Sequence, residues 1–164
     1  MNNYKKLAEN ILENGILIGS RKWGGSYNHS DYDLVFNSED TEKLIDFLES
    51  RKIKFGLNDG MSGRDKHTMY NKYNLKVHLD GKMINVIGYD SQFIPMVKEL
   101  NEFMEVFSKF SSYENIKFNK DRRIEIVETF INNWVEFNLG DKKNDFLTDN
   151  LCPEIDIDED DIPF

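Results

Sequence analysis

The stretch ILIGSRKWGGSYNHSDYDLVF, Ile16–Phe36, decides the fold. Its apolar start ends in Gly19-Ser20, and an Asp31-Tyr32-Asp33 triplet follows eleven residues later. An apolar run that stops at Gly-Ser reads as a buried strand ending in a tight turn. Gly19 lets the backbone approach closely there, and Ser20 offers a hydroxyl and an amide to an anionic group. Asp31–Phe36 reads as a second strand. Residues two apart on a strand share a face, so Asp31 and Asp33 point one way and Tyr32 the other. Two carboxylates at close range repel unless a hard cation lies between them. Magnesium takes few carboxylates and completes its shell with phosphate oxygens and water. A phosphate-accepting turn beside such a pair suits a nucleoside triphosphate. The alternative for the same residues is an ordinary turn followed by an aspartate-rich strand edge.

Outward from this stretch, Tyr4, Leu7, Ala8, Ile11 and Leu12 recur at helical spacing, and Asn14-Gly15 supplies a stop. Ser38-Glu39-Asp40-Thr41 has a cap residue and first-turn acids, and starts a helix with Leu44, Ile45 and Leu48 inward. Residues 56–68, GLNDGMSGRDKHT, hold three glycines without apolar period and read as a mobile loop. Leu75–Leu79, Asp80-Gly81 and Met83–Tyr89 form a hairpin about a favoured two-residue turn. A helix follows with Met96, Leu100, Phe103, Met104, Phe107 and Phe110 along one stripe. Another, roughly Lys120–Asn138, aligns Ile124, Val127, Ile131, Trp134 and Val135. Stripes of this kind are core. The fold class is α+β, a short mixed sheet with flanking helices. Three parts are expected: a core over 1–110, a C-terminal helical extension over 111–138, and an acidic tail over 139–164.

At this point the residues carry a resemblance. Gly19-Ser20, a spacer, then Asp31-x-Asp33-Leu34-Val35 resembles the signature of the polymerase-beta-like nucleotidyltransferase superfamily. Arg21-Lys22-Trp23-Gly24-Gly25 and Ser30–Asp33 are similar to its minimal bacterial and phage members. The likeness covers residues 1 to about 110. It implies magnesium or manganese, and transfer of a nucleotidyl group from a nucleoside triphosphate to a hydroxyl. It also implies that Gly19, Ser20 and Arg21 bind the nucleotide while Asp31 and Asp33 carry metal and catalysis.

One position departs from that pattern. The family's third carboxylate often stands in an apolar strand such as Lys-x-Ile-Asp-Val-Ile, where it helps to hold the metal that activates the attacking hydroxyl. Here Lys82-Met83-Ile84-Asn85-Val86-Ile87 offers an asparagine. Asn85 can give a carbonyl oxygen to a metal or bond a ligand, but it supplies neither charge nor a base. Its other reading is a polar edge residue. His78 could take a proton or a metal, and Asp80 is better explained by the hairpin turn. His29 stands beside the carboxylate pair, either on phosphate or in solvent. Arg64, Lys66 and His67 in the glycine-rich loop either close over a triphosphate or form an exposed charge cluster.

Charge separates the body from the tail. The chain carries −9 overall, yet residues 139–164 hold nine acids against Lys142 and Lys143. The body is thus nearly neutral, which argues against an extended nucleic-acid surface. Nucleic acid stays open as an acceptor, with a local patch at Arg21, Lys22, Arg64 and Lys66. Acid repulsion and sparse apolar residues keep the tail from packing. Its ending, Asp160-Asp161-Ile162-Pro163-Phe164, closely resembles the acidic tip of bacterial single-stranded-DNA-binding proteins. Phe164 would anchor, Pro163 would lower the entropy lost on docking, and the acids would steer the peptide to a basic rim. The resemblance implies partners in DNA replication, recombination and repair, and the combination suits a phage or mobile-element protein. No apolar run reaches membrane-spanning length, the N-terminus lacks a secretory signal's apolar core, and Cys152 is the only cysteine. The cytoplasm is the expected compartment. Two functions stand open: a metal-dependent nucleotidyltransferase addressed by its tail, and an inactive relative that occupies or blocks tip-binding pockets.

Overall fold

Successive side chains of each strand point to opposite faces of the sheet, and each face recruits its own helices. The computed structural model describes residues 3–24, 30–58, 70–109 and 120–140. Chain order is α1 (Asn3–Asn14), β1 (Ile16–Ile18), α2 (Ser20–Trp23), β2 (Tyr32–Asn37), α3 (Ser38–Ser50), β3 (Phe55–Asn58), β4 (Tyr73–Leu79) and β5 (Lys82–Tyr89). A short 3-10 turn, Ser91–Phe93, then leads into α4 (Ile94–Phe107), and α5 (Lys120–Leu139) follows. The strands form one mixed sheet in the order β1-β2-β5-β4-β3. Only the central β2–β5 pair is parallel; the other pairings are antiparallel.

The β4–β5 hairpin closes as its sequence requires. Asp80 and Gly81 both take positive φ, 52° and 73°, the conformation that an Asp-Gly turn admits at low cost. The α3 helix has the expected first-turn acids, Glu39 and Asp40, but its cap is Asn37, one residue before the predicted start. Asn37 Oδ1 accepts from the Asp40 amide at 2.7 Å, while Ser38 Oγ donates to Asp90. Part of the predicted glycine-rich loop is strand instead. Gly56, Leu57 and Asn58 pair with Lys76, Leu75 and Asn74, because a sheet edge can hold a glycine when a neighbouring strand supplies the hydrogen bonds. The rest of that loop, with Arg64, Lys66 and His67, lies outside the described residues, as do His29, Phe110 and the tail from 141 to 164.

One face of the sheet packs Leu34, Leu75, Val77, Ile84 and Val86 against Ala8 and Ile11 of α1 and Leu48 of α3. The other packs Ile18, Val35, Ile87 and Tyr89 against Trp23 of α2, Met96, Val97, Leu100 and Met104 of α4, and Ile124, Val127, Ile131 and Val135 of α5. The C-terminal helix therefore shares a core with the sheet. Trp134 donates to Glu99, a further tie between α5 and α4. The predicted α4 stripe holds at Met96, Leu100 and Met104, which are buried together with Val97, whereas Phe103 is exposed, stacked on Phe107 and near Phe130. No helix among the described residues is long and apolar enough to cross a membrane.

Candidate functional site

Backbone register assembles the site. Ile18 pairs with Asp33, Asp33 pairs with Asn85, and Asn85 pairs with Lys76. Directly paired residues share a face, so one rung crosses the sheet as Ile18, Asp33, Asn85 and Lys76. The carboxylates of Asp31 and Asp33 project to the same side, and Asn85 reports this: its Nδ2 donates to Asp33 Oδ1 at 2.9 Å and to Asp31 Oδ2 at 3.2 Å. One amide nitrogen thus stands where the two carboxylates converge. Asp33 is 4% exposed and Asn85 0%, whereas Asp31 is half-buried at the mouth.

The register also brings Gly19, one residue past Ile18, against Asp33. Gly19 has φ 78° and ψ −161°, a conformation open to glycine and strained for other residues. A Cβ there would collide with the Asp33 carboxylate. Glycine at 19 therefore lets the backbone pass beside a buried acid. The turn that follows is a single helical turn rather than a loop, with Ser20 as the first residue of α2.

Three contacts fix α2. Trp23 is buried, and its Nε1 donates to Asn101 Oδ1 at 2.8 Å; Asn101 Nδ2 in turn donates to the Leu17 carbonyl at 3.1 Å. Lys22 pairs with Glu105 at 2.7 Å, an exposed pair worth about 0–1 kcal/mol. Arg21 donates from Nε and Nη2 to the Ser30 carbonyl at 2.9 and 2.7 Å and lies 3.9 Å over the Tyr32 ring. Arg21, expected on the nucleotide, thus braces the segment that enters β2. It also lines a cleft of about 340 Å³ with Ser30, Tyr32, His78, Lys82 and Met83. Ser30 and Tyr32 flank Asp31 in the chain, but Asp31, Asp33 and Asn85 do not themselves line the cleft. Asp80 is a turn residue within 3.5 Å of Lys82, and His78 is an exposed cleft residue on the Lys76 side of β4.

Asn85 Oδ1 is buried with no hydrogen-bond partner. Leaving such an acceptor unsatisfied costs about 1–3 kcal/mol, so the position is not explained by stability alone. No group of three or more His, Cys, Asp or Glu is placed to hold a metal among the described residues. Two carboxylates and the orphaned amide oxygen are nevertheless hard donors of the kind magnesium and manganese accept, and in donor chemistry the set fits such an ion.

Asn101 and Tyr32 were not singled out as site supports in the sequence. Asn101 lies on a helix whose apolar stripe dominates the reading, and only its pairing with Trp23, 78 positions away, exposes its role. No family model, curated protein or solved structure matches the chain.

Proposed function

We propose that this chain is a nucleotidyltransferase-like protein that binds a nucleoside triphosphate with a divalent cation at Gly19, Ser20, Asp31 and Asp33. One observation carries the reading: Asp31 and Asp33 converge on a single point, marked by Asn85 Nδ2, beside a glycine turn that admits no Cβ. Asp31 and Asp33 would hold magnesium or manganese, with the Asn85 oxygen as a further donor. Bound there, the ion would neutralise phosphate charge. The Gly19-Ser20 turn would receive the phosphates, and the cleft would offer the Arg21 and Lys82 cations, with the His78 imidazole beside them, to the rest of the nucleotide or its acceptor.

Transfer would join an acceptor hydroxyl oxygen to the α-phosphorus, break the α–β anhydride bond and release pyrophosphate. Asn85 cannot take the hydroxyl proton, so that proton would pass to the half-buried Asp31 or to the exposed imidazole of His78. The Asp160–Phe164 tip would address the protein to genome-maintenance partners that read acidic Ile-Pro-Phe peptides, in the cytoplasm of a phage-infected or element-bearing cell.

A second reading is favoured by the amide at 85: the fold binds nucleotide, or only partners, without transfer. Incubation with labelled nucleoside triphosphates, magnesium and nucleic-acid or protein acceptors separates the two. Labelled acceptor that disappears in Asp33→Ala supports transfer. Metal-dependent binding without labelled acceptor supports the second reading, and unchanged magnesium-dependent binding in Asp33→Ala overturns the site. For the tail, deletion of Ile162–Phe164 should abolish capture of purified tip-binding repair proteins; capture that survives the deletion refutes the address.

A further inference from the structure

Asn85 holds two facts in one side chain. Its NH2 group bonds both carboxylates of the pair, and its oxygen, at the other end of the same planar group, is buried without a partner. The two ends of a carboxamide are close to isosteric and exchange by a half-turn about the last side-chain bond. They differ in sign: the nitrogen end donates, the oxygen end accepts. With the nitrogen facing the acids, the amide does part of a cation's work, and the orphaned oxygen is the cost. With the oxygen facing them, three oxygens meet at one point, an arrangement that needs a cation among them.

Resting on the cation reading above, we propose that Asn85 is an amide latch. Without a cation its NH2 bridges Asp31 and Asp33 and keeps them together; entry of a divalent cation turns the amide, and Oδ1 becomes the third oxygen of the site. Cation binding and the turn are then one event. Each binding event gives up two charge-assisted hydrogen bonds, so the latch weakens affinity while keeping the pair ordered in the cation-free protein. An ionised aspartate at this position has no donating end and could not act in this way.

The test uses the full chain, 15N-labelled, with magnesium chloride alone as the probe. The Asn85 side-chain NH2 signals are assigned by their loss in Asn85→Asp. They should shift saturably with magnesium, with the midpoint that calorimetry gives for binding, and Asp33→Asn should remove both responses. Asn85→Asp should bind magnesium about tenfold tighter or more, with a larger magnesium-dependent rise in Tm. Magnesium binding that depends on Asp33 while the Asn85 NH2 signals stay still would overturn the latch and leave the cation reading standing. So would an Asn85→Asp variant that binds no tighter. Binding in Asn85→Asp but none in the native chain would make the amide a fixed plug, which also overturns the latch. Binding in neither would remove the cation reading itself. Should Asn85→Asp fail to fold, Asn85→Ser assigns the signals, and the titration of the native chain decides.

Discussion

Two neighbouring rungs of the sheet, one residue apart and on opposite faces, differ almost completely. The first runs Leu17, Leu34, Val86, Leu75 and Leu57, apolar from edge to edge. The second runs Ile18, Asp33, Asn85, Lys76 and Gly56. Both sit on the same five strands. The first is covered by α1 and α3, so each of its positions gains from burial. On the second face α2, α4 and α5 pack at Ile18, Val35, Ile87 and Tyr89, and the polar rung lies beside that core. The buried acid of the second rung survives because Asn85 donates to it and Gly19 makes room for it. The contrast teaches that the site is a polar interruption of a β-sheet core, held by register rather than by loops.

The comparison breaks most visibly on the apolar rung. Leu34→Ala should lower unfolding free energy by about 2–5 kcal/mol in urea titration, because Leu34 is fully buried. Magnesium affinity, measured well below the variant's Tm, should stay the same; a cost below about 1 kcal/mol would deny that this rung is core. Next in size is Gly19→Ala on the polar side. The positive φ and the collision with Asp33 should cost about 1–3 kcal/mol and also abolish nucleotide binding, a double effect that Leu34→Ala lacks.

Tyr89 tests the apolar core on the same face as the polar rung. Burial raises its phenol above the ordinary tyrosine range, so the folded state keeps a proton that the unfolded chain loses near pH 10. Its contribution is therefore complete below pH 10 and falls above it, by up to about 1.4 kcal/mol per pH unit. Denaturation at pH 9 and 11 should show Tyr89→Phe losing less stability over that interval than the native chain. The smallest effect is expected at the support of α2. Trp23→Phe removes the bond to Asn101 and should cost about 0.5–1.5 kcal/mol, with a weaker grip on nucleotide, read by calorimetry.

Much of this was readable beforehand because the signals are local. The hairpin follows from Asp80-Gly81, the helices from their apolar stripes, and the common face of Asp31 and Asp33 from strand alternation. The β3 strand was missed because Gly56 and the glycines after it read as loop, and strand pairing at an edge comes from the partner rather than from propensity. The sequence offers Arg21 to the nucleotide, whereas its contacts with Ser30 and Tyr32 come from tertiary packing that no local pattern records. Phe103 stays exposed beside Phe107 of α4 and Phe130 of α5, a tertiary neighbourhood that no stripe records.

The sequence by itself determined the alternation of faces, the Gly19-Ser20 turn, the acidic pair and the asparagine set in an apolar strand at position 85. These rest on residue chemistry and on periods of two and three to four, which the chain carries along its length. Tertiary structure alone decided that Asn85 stands beside Asp33 with its nitrogen toward both acids and its oxygen orphaned. Parallel pairing joins strands 52 positions apart, and the hydrogen-bonding state of an amide is set by whichever groups that pairing brings within 3 Å or so.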